Sequence, residues 1–487
     1  MRVFLNSQGY SYDVHSLIKA FYPEEDVSII TDEGGRDGCA PAVYVSSGDV
    51  KGDMPVSGLV RVTFPCDRGT VTKEEGYKNL TRSEVKNVLK RTLYNALSEV
   101  TKRTLPWGTM IGIRPTKVPM KLIREGKSDE KISEYMRSVY LCSDEKIALA
   151  TDIAHTETRI VDGMADNGFG LYIGIPFCPT TCMYCSFTSY PIASWHDRTP
   201  EYLNALKREL DALAVHYKGR PVDCIYIGGG TPTTLEADML CDLMDHVAKR
   251  FDLSKLREYT VEAGRPDSIT VDKLNALKIS GAGRISINPQ TMNEKTLKII
   301  GRRHTTGDVY KAFEIARDVG FTNINTDLIL GLPGEDEADV ANTFDKIRQL
   351  SPDSITVHSM AIKRAAAMQT FLAENRDIRS INTPKMMEEA AGCASSLGMI
   401  PYYLYRQKNM AGNFENVGYA KKECLGIYNI IIMEEVADIA AAGAGTISKR
   451  IFDKGRIERC DNVKDVKLYI DRIDEMIEKK NKFYKGE

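Results

Sequence analysis

The feature that most constrains the fold is a repeated alternation of short apolar runs with amphipathic stretches, from about residue 168 to residue 360. Each apolar run has the length of a strand and is followed by helical spacing. The predicted strands are Leu171–Ile175, Cys224–Ile227, Tyr259–Val261, Arg284–Ile287, Asn323–Leu330 and Ser354–Val357. Six such units predict an α/β fold of parallel strands with helical crossovers, a partial (βα)6 barrel rather than the closed eight-unit form.

The predicted crossover helices have their apolar residues on one face, as expected for helices that pack on a sheet. They cover about residues 201–217, 236–251, 271–280, 294–300, 308–319 and 337–350. Ligands of such sheets bind at the carboxyl ends of the strands. We therefore expect functional side chains in the loops that leave the strands.

A chain of 487 residues exceeds one ordinary domain, and its patterns change along its length. The first hundred residues combine short apolar runs with one long amphipathic helix. We predict four segments: an N-terminal α+β module at 1–104, a linker and helical segment at 105–165, the partial barrel at 166–375, and a mostly helical, substrate-covering domain at 376–487.

Composition excludes several classes of protein. The formal net charge is −2, which lacks the basic balance of a nucleic-acid binder. The N-terminus has no signal-peptide pattern, and no apolar run approaches the roughly 20 residues of a membrane span. We predict a cytoplasmic protein with no nucleic-acid partner and no membrane span, although local basic clusters leave room for an acidic small molecule.

Three of the eleven cysteines stand close together, and they follow the first barrel strand. Cys178, Cys182 and Cys185 lie within eight residues, and thiolate is the preferred ligand of iron–sulfur clusters. Three cysteines would leave one iron of a 4Fe–4S cluster open to another molecule. Incidental cysteines and a structural zinc site are the alternatives, although such a zinc site usually has four closed ligands.

Polar residues also follow the later strands. The second strand ends in a glycine turn, where backbone can approach a ligand closely; it contains Gly229, Gly230 and Thr231. Glu262 ends the third strand, Gln290 follows the fourth, and Arg302 lies twelve residues further on. Asp327 lies inside an apolar strand, where a carboxylate is costly unless it is paired or bound. A plain turn, a solvated loop residue and a structural ion pair are the alternatives.

The cysteine spacing after a barrel strand resembles the radical S-adenosylmethionine (SAM) superfamily. The resemblance implies a 4Fe–4S cluster ligated by Cys178, Cys182 and Cys185, whose open iron chelates the amino and carboxylate groups of SAM. Reduction then cleaves SAM to a 5′-deoxyadenosyl radical. The resemblance to this superfamily also implies that Tyr184 packs over the adenine side of SAM and that the glycine turn contacts the amino group of SAM.

A larger set of motifs resembles the oxygen-independent coproporphyrinogen III oxidase-like family. They are Tyr172 to Cys178, Gly228–Thr233, Gln290, Gly301-Arg302-Arg303-His304 and Asp327 to Pro333. Trp107 to Lys117 and Tyr402 to Gly418 are similar to its HemZ, or coproporphyrinogen dehydrogenase, branch. By resemblance Tyr172 belongs to the cofactor site, Glu262 and Arg302 hold the methionyl amino and carboxylate groups, and Gln290 and Asp327 bind the ribose hydroxyls.

The resemblance implies an oxidoreductase of haem biosynthesis that converts two propionates of coproporphyrinogen III to vinyl groups, giving protoporphyrinogen IX. It also implies a low-potential electron donor of the flavodoxin or ferredoxin type. Capping the barrel and docking that donor are then the two alternative roles of the N-terminal 160 residues. Basic residues suited to the substrate carboxylates are Arg303, Lys363, Arg364, Arg406 and Lys408.

Two positions depart from the family pattern, and both lie near the reaction centre. Phe187 replaces a further cysteine and Gly174 replaces a histidine. The substrate reaction therefore has alternatives. One is a haem-binding chaperone, with His304 or His358 as the candidate ligand, and the other is radical methylation or ring opening of a tetrapyrrole.

Overall fold

The structure is a computed structural model that describes residues 1–31, 41–46, 54–66, 69–112, 114–360, 367–407, 414–452 and 455–486. The chain divides into two compact units, Met1–His155 and Thr156–Glu487. The finer division into four segments stays a prediction.

The first unit is a small α+β fold. Its elements are β1 (Arg2–Leu5), α1 (Ser11–Phe21), β2 (Ser28–Thr31), β3 (Ala42–Val45), β4 (Val56–Cys66), β5 (Gly69–Leu80), α2 (Arg82–Thr101), α3 (Lys117–Arg124), α4 (Asp129–Tyr140) and α5 (Asp144–Asp162), within which the boundary falls. The strands form one sheet in the order β2-β1-β3-β4-β5. Apolar residues of α1 and α2 share one buried core with β1, β3 and β4.

Strands and helices alternate through the first part of the second unit. They are β6 (Phe169–Ile175), β7 (Phe177–Cys178), β8 (Tyr190–Pro191), α6 (Thr199–His216), β9 (Val222–Gly229), α7 (Ala237–Arg250), β10 (Glu258–Glu262), α8 (Val271–Ile279), β11 (Arg284–Ser286), α9 (Glu294–Ile299), α10 (Thr306–Asp318), β12 (Ile324–Leu330), α11 (Glu337–Leu350) and β13 (Ser354–Ser359).

The remaining elements mix helices with short strands. They are α12 (Ala367–Glu374), α13 (Pro384–Ser396), β14 (Ile400–Tyr405), β15 (Asn416–Ala420), α14 (Ile427–Glu434), β16 (Ile439–Ala442), β17 (Ile447–Ile451), β18 (Ile457–Asp461), α15 (Val466–Asp471) and α16 (Ile473–Lys485).

All six predicted barrel strands are present. β6, β9, β10, β11, β12 and β13 are neighbours in that order, and every pair among them is parallel. Their residues are mostly buried, as expected of parallel strands with helices outside and side chains inside. The partial (βα)6 barrel is therefore confirmed.

The C-terminal part extends the barrel sheet at both edges. β16 pairs parallel to β6, and β17 and β18 follow it as antiparallel strands. At the other edge β15 and then β14 add antiparallel strands beside β13. The C-terminal helices are thus accompanied by five strands, and the whole sheet has eleven.

Candidate functional site

The three clustered cysteines lie in the loop that leaves β6, which we call the cysteine loop (residues 176–189). All three side chains are half-buried. The loop is held to the next crossover because Thr231 Oγ1 donates a hydrogen bond to Cys178 Sγ at 3.5 Å. Burial raises the pKa of the Cys178 thiol to about 11. That thiol would therefore lose its proton on binding a metal centre, since the ligand is the thiolate.

The number of thiols in this loop is the number that a 4Fe–4S cluster with one open iron requires. In a cubane cluster each thiolate binds a separate iron, so the three sulfurs need not converge. The structural zinc alternative, by contrast, needs four ligands around one ion.

The glycine turn after β9 packs directly on the cysteine loop. Gly230 N donates to Ile175 O at 2.8 Å, and Thr231 N donates to Phe177 O at 2.7 Å. A Cβ at Gly230 would lie 2.5 Å from Phe177 O, so only glycine fits there. Gly229 has a φ of +106° and lies against the Tyr172 hydroxyl, 3.3 Å from its Cβ position. The turn therefore brings bare backbone to the carboxyl ends of β6 and β9.

Glu262 lies at the end of β10, beside a stack of tyrosines inside the barrel. Tyr226 donates to Glu262 Oε1 at 2.6 Å, and the Tyr226 ring stacks on Tyr172 and Tyr428 with centroids 6.1 and 4.6 Å away. Burial, reinforced by the nearby charge of Asp327, raises the pKa of Glu262 to about 7 against the opposing hydrogen bond from Tyr226. A bound cation beside this carboxyl would favour its ionised form.

Gln290, in the loop after β11, lies beside Asp327, in the middle of β12. Gln290 N donates to Asp327 O at 3.1 Å, and Gln290 has a φ of +70°, a conformation that is rare outside glycine. Asn325 Nδ2 donates to Asp327 Oδ1 at 2.7 Å, and Asp327 N donates to the Asn288 side chain at 3.1 Å. Such backbone strain in a non-glycine residue is typical of functional sites.

Arg302 is buried next to the cysteine loop. Its guanidinium donates to Asn288 O and lies beside Tyr184 and Cys182. Tyr184 packs against an apolar group formed by Leu297, Ile300, Ile329, Leu332, Met360 and Met368. Arg302 Nε and Gln290 Oε1 are buried and have no hydrogen-bond partner within the part of the chain that is described.

The structure places most of the predicted site residues at or just beyond the carboxyl ends of β6, β9, β10 and β11, whereas Tyr172 and Asp327 lie in the middle of β6 and β12 and Arg302 follows α9. Direct contacts link Cys178 with Thr231, Gln290 with Asp327, and Arg302 with Tyr184.

Sequence reasoning missed three residues of the site. Tyr226 shares a strand face with Gly228, two residues on, and this period of two is a signal that could have identified it. Arg265 follows Glu262 by three residues and reaches Cys182, whereas Tyr428 enters from a distant helix and has no local signal.

The two departures from the family pattern have different surroundings. A Cβ at Gly174 would lie 2.6 Å from the Thr446 methyl group, so the C-terminal loop after β16 fills the space of a larger side chain. Phe187 is 75% exposed in the cysteine loop. The site therefore differs from the family pattern in two ways. Thr446 occupies the space that a larger side chain at position 174 would need, and the exposed ring of Phe187 replaces a cysteine.

The structure describes two of the five candidate substrate cations and both candidate haem ligands. Arg303 is exposed, and Arg406 is buried. Lys363, Arg364 and Lys408 lie outside the described residues. His358 Nδ1 is 3.2 Å from the Tyr405 hydroxyl.

His304 is buried beside a cleft of about 470 Å³, which is also lined by Thr180, Lys298 and Arg303. Neither ring nitrogen of His304 has a partner among the residues that the structure describes. Burial, with the positive charges of Arg302 and Arg265, lowers the pKa of His304 to about 4, so its ring is neutral at pH 7.

Comparison with known proteins identifies the class first. The sequence profile of the Radical SAM superfamily matches residues 172–347. The crystal structure of coproporphyrinogen III oxidase HemN from Escherichia coli, a radical SAM enzyme, superposes with a TM-score of 0.51 at 23% identity, covering 66% of this chain and 73% of that chain. This likeness shows the shared fold.

Two curated relatives narrow the class. The oxygen-independent coproporphyrinogen-III oxidase-like protein HemZ of Bacillus subtilis is 36% identical over 96% of this chain and 94% of its own length. The heme chaperone HemW of the same organism is 33% identical over 62% of this chain and 76% of its own length. The chain therefore belongs to the radical SAM superfamily and, within it, to the oxygen-independent coproporphyrinogen-III oxidase-like family, in the HemZ branch.

The cofactors of the radical SAM superfamily, to which this chain belongs, are a 4Fe–4S cluster and SAM. The residues present fit both. The cysteine loop offers three thiols and no fourth cysteine, and the partnerless polar atoms of Gln290 and Arg302 are available to a polar ligand. Within the described ranges, no helix is long and apolar enough to cross a bilayer.

Proposed function

We propose that this protein catalyses the oxidative decarboxylation of coproporphyrinogen III to protoporphyrinogen IX. In each of two propionate side chains one C–H bond would break, its hydrogen atom leaving in 5′-deoxyadenosine, and the bond to the carboxylate carbon would break. CO₂ leaves, a vinyl group forms, and one electron passes to an acceptor. The near-full-length similarity to a coproporphyrinogen-III oxidase-like protein carries the proposal.

The cofactors supply a 5′-deoxyadenosyl radical when they are bound and reduced. For the protein's part, we propose that Cys178, Cys182 and Cys185 hold the cluster. Glu262 would accept hydrogen bonds from the SAM ammonium group, and Arg302 would donate to its carboxylate. The burial of Arg302 and the raised pKa of the desolvated Glu262 carboxyl support these roles, because a ligand group of opposite charge would stabilise each ionised side chain.

We propose that the other predicted residues position the nucleoside and the methionyl chain. Gln290 and Asp327 would bind the ribose hydroxyls, and their adjacent positions support a shared ligand. Tyr184 would pack on the adenine, and the turn at Gly229, Gly230 and Thr231, with Tyr172 beneath it, would border the methionyl group. These residues would hold the ligand close to the open iron.

The surroundings of the cysteine loop suit a broad apolar substrate. Met183 and Tyr184 pack into an apolar group with Ile329, Met360 and Met368. Met183 and Tyr184 are themselves half-buried, so part of each side chain is accessible to a ligand, and a tetrapyrrole is large and apolar with acidic groups at its rim. Arg303 is an exposed cation on the segment that packs against this loop, and we propose that it binds a propionate.

Reduction of the cluster requires an electron from outside the chain. We propose a low-potential protein donor of the flavodoxin or ferredoxin type, because the half-buried cysteines leave the loop near the surface. We also place the protein in the cytoplasm. All ten cysteines that the structure describes are free thiols, as expected in a reducing compartment.

The test is a product assay under anaerobic conditions with reconstituted protein, SAM, a strong reductant and coproporphyrinogen III. We expect 5′-deoxyadenosine together with a porphyrinogen lighter by two CO₂ and four hydrogen atoms. Cys182→Ala should lose both products, whereas Cys241→Ala, on α7, should keep them. Formation of 5′-deoxyadenosine with an unchanged tetrapyrrole, or with a methylated or ring-opened one, would contradict the proposed reaction.

Haem binding is the second candidate function, favoured by one observation. The neutral imidazole of His304 has two nitrogens without a partner among the described residues, beside a cleft with Lys298 and Arg303. A relative at 33% identity is a heme chaperone. Tight stoichiometric haem binding that is lost in His304→Ala, without any decarboxylated product, would favour this function over the first.

A further inference from the structure

Arg265 is a buried cation in the loop after β10, and its orientation is fixed. The residue is 2% exposed. Its Nε and Nη2 donate to the two carboxylate oxygens of Asp267 at 2.9 and 2.8 Å. A bidentate pair of this kind holds the guanidinium plane in one direction. Nη1 is therefore aimed away from Asp267.

Nη1 points at the cysteine loop. It donates to Thr180 Oγ1 at 3.0 Å and lies 3.4 Å from Thr180 O and 3.8 Å from Cys182 Sγ. Thr180 Oγ1 in turn donates to Gly301 O at 3.1 Å. The segment between the first two cysteines is thus tied on one side to a charged donor and on the other to the turn after α9.

A fixed cationic donor beside a cluster sulfur has a definite electrostatic effect. Reduction adds one negative charge to the cluster, and hydrogen bonds to its sulfurs are among the factors that set its reduction potential. The attraction of a buried guanidinium is stronger than it would be in water. The guanidinium therefore stabilises the reduced, more negative cluster more than the oxidised cluster, and it raises the reduction potential of the cluster.

We propose that Arg265 is a positioning residue that holds Cys182 and raises the reduction potential of the cluster through its Nη1 hydrogen bond. The inference rests on the proposed role of Cys182 as a cluster ligand. It is independent of the tetrapyrrole substrate. It predicts that the ease of reduction depends on a loop that follows β10, and that Asp267 contributes by orienting the guanidinium.

The experiment is a potentiometric titration of the anaerobically reconstituted full-length protein without substrate, followed by electron paramagnetic resonance of the reduced cluster. In Arg265→Met the ratio of reduced to oxidised cluster at a fixed potential should fall about ten-fold, which corresponds to a midpoint about 59 mV lower. Arg265→Lys should show a smaller shift in the same direction, because it keeps the charge but loses the bidentate pair that orients the donor. Arg250→Met, which breaks an Arg–Asp pair between α7 and α6, should leave the ratio unchanged.

An unchanged ratio in an Arg265→Met protein with full iron content would overturn the proposal. Where Arg265→Met holds no cluster, Arg265→Lys provides the measurement. Loss of the cluster from both variants, with circular dichroism unchanged, would show a purely structural role and would also overturn the proposal. Retention of a normal cluster by Cys182→Ala would refute the ligand assignment instead, and the product assay tests the reaction separately.

Discussion

The space around Gly230 is closed by backbone atoms of the strand that leads to the first cysteine. A Cβ at this position would lie 2.5 Å from Phe177 O, 2.8 Å from Ile175 O and 2.9 Å from Phe177 N. Ordinary contact begins at 3.4 Å, so Gly230→Ala requires the backbone at Phe177 to move by about 0.9 Å, the difference between 3.4 and 2.5 Å. Cys178 follows directly and would move with it.

Two consequences can be measured. Overpacking of this kind costs about 1–3 kcal/mol of the free energy of unfolding. A misplacement of about 1 Å in a reactive site can cost about 100-fold in rate, so 5′-deoxyadenosine formation in Gly230→Ala should fall by roughly that factor. The assays are chemical denaturation of the unloaded protein and the initial rate of SAM cleavage at equal iron content.

Gly283→Ala is the matched control, because nothing lies within 4 Å of its Cβ position and its φ is not positive. It should stay within about 0.5 kcal/mol of the native protein and keep its rate. A Gly230→Ala protein with native stability and more than half of the native rate would refute the argument that the turn fixes the cysteine loop.

Two further predictions concern the SAM contacts. In the folded protein Glu262 keeps its proton up to a pKa of about 7, whereas in the unfolded chain it releases the proton near 4.5. Through this residue, the free energy of unfolding of the unloaded protein should fall by up to about 3 kcal/mol as pH rises between these two values. Glu262→Gln should remove this contribution and leave the one that comes from Glu335, whose pKa is also raised to about 7 by burial. SAM affinity should rise with pH through 7 in the native protein and not in Glu262→Gln; denaturation and SAM titrations from pH 5 to 8 in which the two proteins show the same slopes would contradict the assignment. Gln290→Asn should keep the stability, because asparagine tolerates positive φ, but it should weaken SAM binding about ten-fold, as the loss of one buried hydrogen bond implies. Unchanged affinity in Gln290→Asn would contradict a ribose contact.

The sequence determined the barrel because its evidence is local. A buried parallel strand needs a short apolar run, and a crossover helix needs one apolar face, so each unit could be recognised within about 30 residues. Local sequence patterns likewise identified the cysteine spacing, the glycine turn and the carboxylate of Asp327. Parallel topology then required their loops to meet at one end of the sheet.

The tertiary structure decided what surrounds those residues, because these contacts join segments far apart in the chain. Tyr428 stacks on Tyr226 from a helix about 200 residues later, and Thr446 fills the space beside Gly174. Whether Arg265 faces solvent or Cys182 depends on how two separate loops fold back at the barrel rim. The pKa of Glu262 likewise follows from its burial and from Asp327 two strands away, and no local pattern encodes either.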